Sequence, residues 1–423
     1  WLKPSGPSHP KRATTRRAAD CGAAGMPPQA KPEKLQNRFL VSFEQELGEG
    51  SFAKVLKGLD KETGKAVAVK WFKQHPGDEA WTAAVENFQD TIDTMETLGS
   101  SRYIDQTTSG KPRVSFQVGM IKADSCTYVE DDTKAQTYLD NLDLSECFVR
   151  LISHSEDENG GPGPDPEHDR LYIIFELGGE SLEEKFLKHA ETGEPLPVEE
   201  IRNIHWSLVS IVCGLHAAGF VHMDIKPSNI VRFEHTWKLI DFDGAVRSGT
   251  IVTRERVTGT PCYMAPELAK LLAENRDEIL VSRLMDVWSV GLCAMEAIFF
   301  QPILKPWFEE WEQETGNGMK FLRWLGDYKA KPAIMDADMC KAMKDIDPDM
   351  CELLKRMLIK DPAERGDIAE CLTHPWFEPM RELLWKNIDT RTSSKDGGGR
   401  PRRPSALDQK KHQKQTAKSC SVM

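Results

Sequence analysis

The stretch from His222 to Asn229 places three chemically distinct groups on one short loop: Asp224, Lys226 and Asn229. A carboxylate can accept the proton of an attacking hydroxyl, an ammonium can neutralise a phosphate, and an amide oxygen can bind a magnesium ion. Asp241-Phe242-Asp243 follows soon after, and Asp241 would add a carboxylate ligand for the same metal ion. This combination is suited to the transfer of a phosphoryl group.

A glycine-rich turn and a lysine precede this loop in the chain. Gly48-Glu49-Gly50-Ser51-Phe52-Ala53-Lys54-Val55 follows an apolar run from Phe39 to Leu47, which predicts a strand, a glycine turn and a second strand. Glycines let backbone amides approach phosphate groups closely. Val67-Ala68-Val69-Lys70 predicts a third strand that presents Lys70.

Taken in this order, these motifs resemble those of eukaryotic-type serine/threonine protein kinases. Thr260-Pro261-Cys262-Tyr263-Met264-Ala265-Pro266-Glu267 resembles the end of the family's activation segment, and Asp286-Val287-Trp288-Ser289-Val290-Gly291 resembles the helix that anchors the catalytic loop. Arg365 stands where the family places the ion-pair partner of Glu267. The resemblance implies an α+β, two-lobed fold, with a small β-rich N-lobe that has one regulatory helix and a larger, mainly α-helical C-lobe.

The resemblance also implies the site and its cofactors, ATP and Mg²⁺. Asp224, Lys226 and Thr260 would be catalytic, and Asn229 and Asp241 would bind the metal. The residues implied in nucleotide binding are Gly48, Gly50, Ser51, Val55, Ala68, Lys70, Glu86, Phe175, Glu176 and Gly178. Lys226 and Thr260 favour protein substrates with serine or threonine acceptors over tyrosine.

The predicted kinase domain covers residues 39–380. A basic, disordered arm is predicted before it, at residues 1–38. We expect the N-lobe at 39–176, with an insertion at about 99–145, and the C-lobe at 177–380. Residues 381–423 are predicted to be a basic, disordered tail.

An amphipathic helix is predicted after Lys70, because apolar residues recur every three or four positions at Trp81, Val85, Phe88, Ile92, Met95 and Leu98. This would be the regulatory helix of the N-lobe. Glu86, which lies 16 residues after Lys70, is the candidate carboxylate partner of that lysine. Glu96 and Glu130 are alternatives, and Glu86 could instead be a solvated charge. A second helical register at Tyr138, Leu139 and Leu142 leaves another position open for the regulatory helix.

Two departures from the family pattern, at Met223 and Asp243, bear on mechanism. Met223 replaces the arginine before the catalytic aspartate, and a thioether cannot bind a phosphate as a guanidinium does. We therefore expect activity without phosphorylation of the activation segment. Asp243 replaces a glycine after Asp241-Phe242. Four roles are open for Asp243. It would restrict the movement of the loop that contains Asp241, here called the metal loop, or raise the pKa of groups near Asp241. Alternatively, it would join the metal ligands or point to solvent as a tolerated variant.

Composition limits the partners. A net charge of −11 over 423 residues argues against nucleic acid as a partner. The ten cysteines form no C-x-x-C pairs, which favours reduced thiols in the cytoplasm over disulfides or a zinc site. No apolar run is long enough to predict a membrane-spanning helix.

The residues after 390 carry nine basic side chains against two acidic ones, a net charge of +7, and end in Cys420-Ser421-Val422-Met423. This ending matches the C-a-a-X pattern for farnesylation, and the basic run would attract an anionic membrane surface. We therefore expect a cytoplasmic protein that can associate with membranes through Cys420. The alternative function is a pseudokinase that binds nucleotide and acts as a membrane-tethered scaffold.

Overall fold

The computed structural model describes residues 32–50, 52–99, 144–257, 259–316, 318–331 and 333–384. Within them, six antiparallel strands form one sheet in the order β1-β2-β3-β4-β6-β5. The strands are β1 (Glu33–Leu35), β2 (Phe39–Glu49), β3 (Ala53–Asp60), β4 (Ala66–Phe72), β5 (Leu151–His154) and β6 (Tyr172–Glu176). This sheet is the predicted β-rich N-lobe.

Side chains alternate along β4, so the sheet has two different faces. Val69 lies in one hydrophobic cluster, and Phe72 lies in another, which includes Phe88 of α1 (Trp81–Gly99). Because successive side chains of a strand point to opposite faces, Lys70 shares the face of Phe72. The alternation therefore directs Lys70 to the side of the sheet that α1 covers.

The amphipathic helix predicted from the apolar spacing is α1. Its buried side chains are Phe88, Thr91, Ile92, Thr94, Met95 and Leu98. Trp81 and Val85 are half-buried and pack against the same cluster. The helix is held by apolar contacts because a spacing of three or four residues places these side chains on one face.

The second lobe is mainly helical, as expected. Its helices are α2 (Leu182–Thr192), α3 (Val198–Ala217), α4 (Pro266–Ala273), α5 (Leu284–Phe299), α6 (Lys305–Thr315), α7 (Met319–Gly326), α8 (Ala337–Ile346), α9 (Pro348–Met357) and α10 (Ile368–Thr373). Three short antiparallel pairs accompany them: β7 (Phe220–Val221) with β10 (Val246–Arg247), β8 (Ile230–Phe233) with β9 (Thr236–Leu239), and β11 (Ile251–Thr253) with β12 (Glu278–Leu280).

The core of this lobe lies around α5, whose residues Met285 to Ala297 are all buried. His205 of α3 donates a hydrogen bond from Nε2 to the carbonyl oxygen of Ala294, at 2.9 Å. Burial lowers the pKa of His205 to about 4, so the ring is neutral at physiological pH. The predicted pairing of Arg365 with Glu267 is confirmed, because two hydrogen bonds of 2.9 Å join the guanidinium and the carboxylate.

The structure corrects two predicted boundaries. Residues 33–35 form β1 rather than part of a disordered arm, because Leu35 is fully buried in the sheet's hydrophobic cluster. Residues 378–384 are helical, although 381–384 are predicted to belong to the disordered tail.

The segment expected to be an insertion follows α1 and lies mostly outside the described residues, as do the first 31 residues and the basic tail after 384. Among the helices that the structure describes, none is both long and apolar enough to cross a membrane. The seven cysteines that lie within the described ranges are free.

Candidate active site

The catalytic loop connects β7 to β8 and is held from below by α5. Asp286 is fully buried and accepts hydrogen bonds from the backbone N–H groups of His222, at 2.8 Å, and Met223, at 2.9 Å. His216 also contacts this carboxylate, at 2.9 Å. Met223 has a φ of 67°, which is unfavourable for a side chain other than glycine and persists only when its surroundings hold it. The predicted anchoring of the loop by this helix is confirmed.

Asp224 is the best-supported carboxylate on the loop. Its Oδ1 accepts hydrogen bonds from both the backbone N–H and the hydroxyl of Thr260, each at 3.0 Å. Lys226 Nζ lies 2.6 Å from Asp224 Oδ2 and donates to Thr260 Oγ1 at 3.1 Å. The structure therefore brings together all three residues that the resemblance implied to be catalytic.

Asn229 and Asp241 provide oxygen atoms that suit a magnesium ion. The amide nitrogen of Asn229 donates to the carbonyl oxygen of Asp224, at 3.0 Å, which orients the amide and leaves its oxygen for another partner. Asp241 has a φ of 63°, and its side chain is 40% exposed. One carboxylate and one amide oxygen match the preference of Mg²⁺ for oxygen ligands that are completed by phosphates and water. The residues present therefore fit the metal that the resemblance implied.

Lys70 of β4 makes two close ion pairs. Its Nζ lies 2.6 Å from Asp241 Oδ1 and 2.6 Å from Asp243 Oδ2. Burial alone would lower the pKa of Lys70, but the two carboxylates outweigh it and the pKa is raised. Burial raises the pKa of Asp241, yet the charge of Lys70 prevails and lowers it to about 2. The ammonium and the metal-loop carboxylate are therefore both charged.

The glycine turn joins β2 to β3 as predicted. Gly48 pairs with Val55 across the two strands, and the N–H of Gly50 donates to the carbonyl of Ala53, at 2.8 Å. Lys73 Nζ donates to the carbonyl oxygen of Gly50, at 2.7 Å. Ser51 lies outside the described residues. The turn therefore leads into the strand that carries Val55 directly opposite Lys70.

The residues implied in adenine binding lie where β6 ends. Phe175 pairs with Ala68 of β4 and is half-buried, and Glu176 is the last residue of β6. A Cβ at Gly178 would lie 2.8 Å from Phe233 Cζ and closer still to Val231, so a larger residue would require these side chains to move. The structure thus brings these residues to one end of the sheet.

Glu86 does not pair with Lys70 in this structure, which corrects the predicted partner. Its carboxylate is 60% exposed and lies 3.7 Å from Arg256 Nη2. The apolar face of α1 turns Glu86 away from the sheet. Glu96 is 58% exposed and lies 3.9 Å from His154, so it is not the partner either. Glu130 and the alternative helical register at residues 138–142 lie outside the described residues.

The comparison with protein families finds a match to the protein kinase domain over residues 123–377, which is more than half of the chain. The chain belongs to the protein kinase family. This confirms the family and the two-lobed kinase fold that the motifs predicted. The matched range contains the catalytic loop and the metal loop, whereas the glycine turn and Lys70 lie before it.

Several curated kinases are similar to this one. Mitogen-activated protein kinase 12 of Mus musculus is 29% identical over 255 residues, which cover 55% of this chain and 66% of that protein. Serine/threonine-protein kinase PAK 4 of Homo sapiens is 28% identical over 211 residues, covering 49% and 31%. MAP3K epsilon protein kinase 1 of Arabidopsis thaliana is 24% identical over 361 residues, covering 85% and 20%. This kinase therefore spans two thirds or less of the length of each of these relatives.

The sequence did not identify Asp243 as a partner of Lys70. Asp243 was expected to act on the metal loop or to point to solvent, but its side chain is only 22% exposed and meets Lys70. Burial and the neighbouring charge of Asp241 raise the pKa of Asp243, against the opposing effect of Lys70. The sequence shows that position 243 carries a carboxylate where the family has glycine. It does not show that this side chain points to Lys70.

Proposed function

We propose that this chain is an active protein serine/threonine kinase that transfers the γ-phosphate of ATP to hydroxyl groups of protein substrates. The observation that carries this proposal is the carboxylate of Asp224, held by both donors of Thr260 and by Lys226. A general base must be held in one orientation to meet an attacking hydroxyl. No group of this network is replaced by an inert side chain.

The reaction follows from the positions of these groups. The hydroxyl oxygen of the substrate forms a bond to the γ-phosphorus while the bond to the β-phosphate oxygen breaks and ADP leaves. Asp224 orients the hydroxyl and accepts its proton. Lys226 lies beside Asp224 and would balance charge on the transferred group, while Lys70 would contact the remaining phosphates. A magnesium ion held by Asn229 and Asp241 would neutralise charge that develops on the phosphate oxygens.

The choice of serine or threonine as acceptor is supported by Lys226 and Thr260. Both contact Asp224 directly, and the short side chain of Thr260 leaves the lysine ammonium next to the carboxylate. The names of two of the reported relatives, mitogen-activated protein kinase 12 and serine/threonine-protein kinase PAK 4, agree with a protein kinase. Protein substrates with Ser or Thr acceptors are therefore the proposed partners.

The test is phosphate transfer from ATP and Mg²⁺ to a panel of serine and threonine peptides. Asp224→Asn keeps the size and polarity of the side chain but removes the base, so turnover should fall by about a hundredfold or more while nucleotide affinity stays close to that of the parent. Asp93→Asn makes the same chemical change at an exposed position of α1 and is the matched control.

Equal turnover by the parent and Asp224→Asn would contradict the proposal. The parent could instead bind nucleotide but transfer no phosphate to any peptide, whatever its own phosphorylation state. This result would support the alternative function, a scaffold that binds nucleotide.

A further inference from the structure

We propose that Asp243 is the carboxylate that positions Lys70 for the phosphates of the nucleotide, in place of a carboxylate on α1. The inference rests on the proposed kinase function and assigns a positioning residue to it. It follows from three observations: the contacts of Lys70, the face of α1 that meets the sheet, and the position of Asp241, which would otherwise have to bind the metal and pair with Lys70 at the same time.

The contacts of Asp243 form a short chain from the metal loop to α1. Asp243 Oδ2 lies 2.6 Å from Lys70 Nζ. The hydroxyl oxygen of Thr91 lies 3.4 Å from Asp243 Oδ1 and 2.8 Å from the carbonyl oxygen of Asn87, which is its nearer acceptor. The side chains of Lys70 and Asp243 are 11% and 22% exposed. A carboxylate shielded from water in this way holds an ammonium more firmly than a surface pair does.

The face of α1 that covers the sheet presents no carboxylate. Its four acidic residues, Glu86, Asp90, Asp93 and Glu96, are all exposed. Thr91 is 2% exposed and occupies the position of α1 that meets Asp243. A threonine can donate a hydrogen bond but cannot neutralise a lysine. Among the described residues, the carboxylates that pair with Lys70 therefore come from the metal loop.

Rotation of α1 would not supply Glu86 without disrupting the packing. Glu86 and Thr91 are five residues apart, and at about 100° per residue the helix would have to turn by roughly 140° to exchange them. Phe88 and Ile92 are fully buried against the sheet and would be removed from it. The apolar contacts thus fix which face of α1 meets Lys70.

Asp241 cannot serve as the sole partner of Lys70, because it is also the carboxylate that fits the metal. When Asp241 turns to a metal ion, a buried lysine without another partner would lose most of its electrostatic support. Asp243 remains beside Lys70 in that case. The two carboxylates therefore divide the tasks: Asp241 is available to the metal and Asp243 to the lysine.

The experiment first removes the carboxylate of Asp243 and then places a carboxylate on α1. Asp243→Gly should weaken the affinity for ATP, measured by calorimetry, by about 10- to 100-fold and lower kcat/KM by a similar factor, because one hydrogen bond to a charged group is lost. Asp243→Asn should have a similar effect, which would assign the loss to the charge rather than to a more mobile backbone.

The double variant Asp243→Gly with Thr91→Glu places a carboxylate on the face of α1 that meets Lys70 and should recover most of the ATP affinity. Thr91→Glu alone should gain nothing, since Asp243 already occupies the space and repels a second carboxylate. Thermal unfolding of each variant shows that it is folded. Unchanged ATP affinity in Asp243→Gly, or no recovery in a folded double variant, would overturn the inference.

Glu86→Gln tests the rival partner and should bind ATP like the parent and like Asp93→Asn. A loss of affinity in Glu86→Gln equal to that in Asp243→Gly would return the role to α1 and refute the proposal. Because ATP affinity is measured without turnover, a parent that binds ATP but transfers no phosphate would contradict the proposed kinase activity alone. The pattern of affinities among the variants would still decide the role of Asp243.

Discussion

Thr260 contributes more contacts to Asp224 than any other described residue, through its backbone N–H and its hydroxyl. The hydroxyl also accepts a hydrogen bond from Lys226, so one side chain connects the base with the adjacent cation. We expect a residue in this position to control geometry rather than nucleotide affinity, because it contacts the proposed base, Asp224, and not the end of the sheet that is proposed to bind ATP.

Thr260→Val removes the hydroxyl and keeps the shape of the side chain. We expect kcat to fall by about 10- to 100-fold, since a hydrogen bond to a charged group is worth about 1.5–3 kcal/mol, while the KM for ATP stays within about twofold. Steady-state kinetics on one peptide would measure both constants. Thr260→Ser retains the hydroxyl and should keep most of the activity; a similar loss in both variants would exclude this role.

At the scale of secondary structure, the activation segment is held by a pair of strands. β11 pairs with β12 along Ile251–Thr253, and the N–H of Arg254 donates to the carbonyl of Asp277, at 2.8 Å. Met223 is 5% exposed and offers no charge that could bind a phosphate. We therefore expect these backbone hydrogen bonds to hold the segment without a bound phosphate.

Phosphatase treatment of the active kinase should leave its turnover unchanged within error, because the strand pair does not depend on a phosphate. Mass spectrometry before and after treatment would show that the phosphates were removed. A loss of most of the activity after treatment would contradict the expectation that was based on Met223.

The strand pair itself can be tested at Arg254. Arg254→Pro removes the N–H that bonds to Asp277, and turnover should fall by about three- to tenfold, which corresponds to one backbone hydrogen bond. Arg254→Ala removes the same side chain but keeps the N–H and is the matched control. Equal turnover in these two variants would show that the end of the strand pair has no influence on activity.

At the scale of the whole molecule, one buried acid makes the free energy of unfolding depend on pH. Glu296 of α5 is 3% exposed and accepts a hydrogen bond from the Tyr263 hydroxyl, at 2.5 Å. Burial raises the pKa of Glu296 from 4.5 to about 7, and the hydrogen bond from Tyr263 opposes this only in part. Between these two pH values the folded protein holds a proton that the unfolded chain has released.

The free energy of unfolding should therefore decrease as pH rises from about 4.5 to about 7, and the loss should be complete above that range. Between pH 5 and pH 8 the parent should lose roughly 2 kcal/mol more than Glu296→Gln, which cannot ionise. Urea denaturation at the two pH values would measure the difference. Identical pH dependence in the parent and the variant would show that Glu296 is already ionised in the folded protein at pH 5.

Much of the site could be predicted from the sequence because each residue type supplies one chemistry and the motifs are local. The three groups of the catalytic loop lie within six residues, and the glycine turn and β4 follow from apolar patterning. The spacing of apolar residues also predicted α1, since the period of an amphipathic helix is visible in the sequence alone.

The tertiary structure decided which carboxylate meets Lys70. Lys70 and Asp241 are 171 residues apart, and the packing of the N-lobe sheet against the rest of the kinase brings them to hydrogen-bonding distance. Periodicity identified the buried face of α1, but Glu86 was assigned from its distance along the chain rather than from that face. A contact between distant residues depends on how elements pack, which local patterns do not specify. The sequence by itself determined the chemistry available here, and packing determined that Asp243, rather than Glu86, meets the lysine.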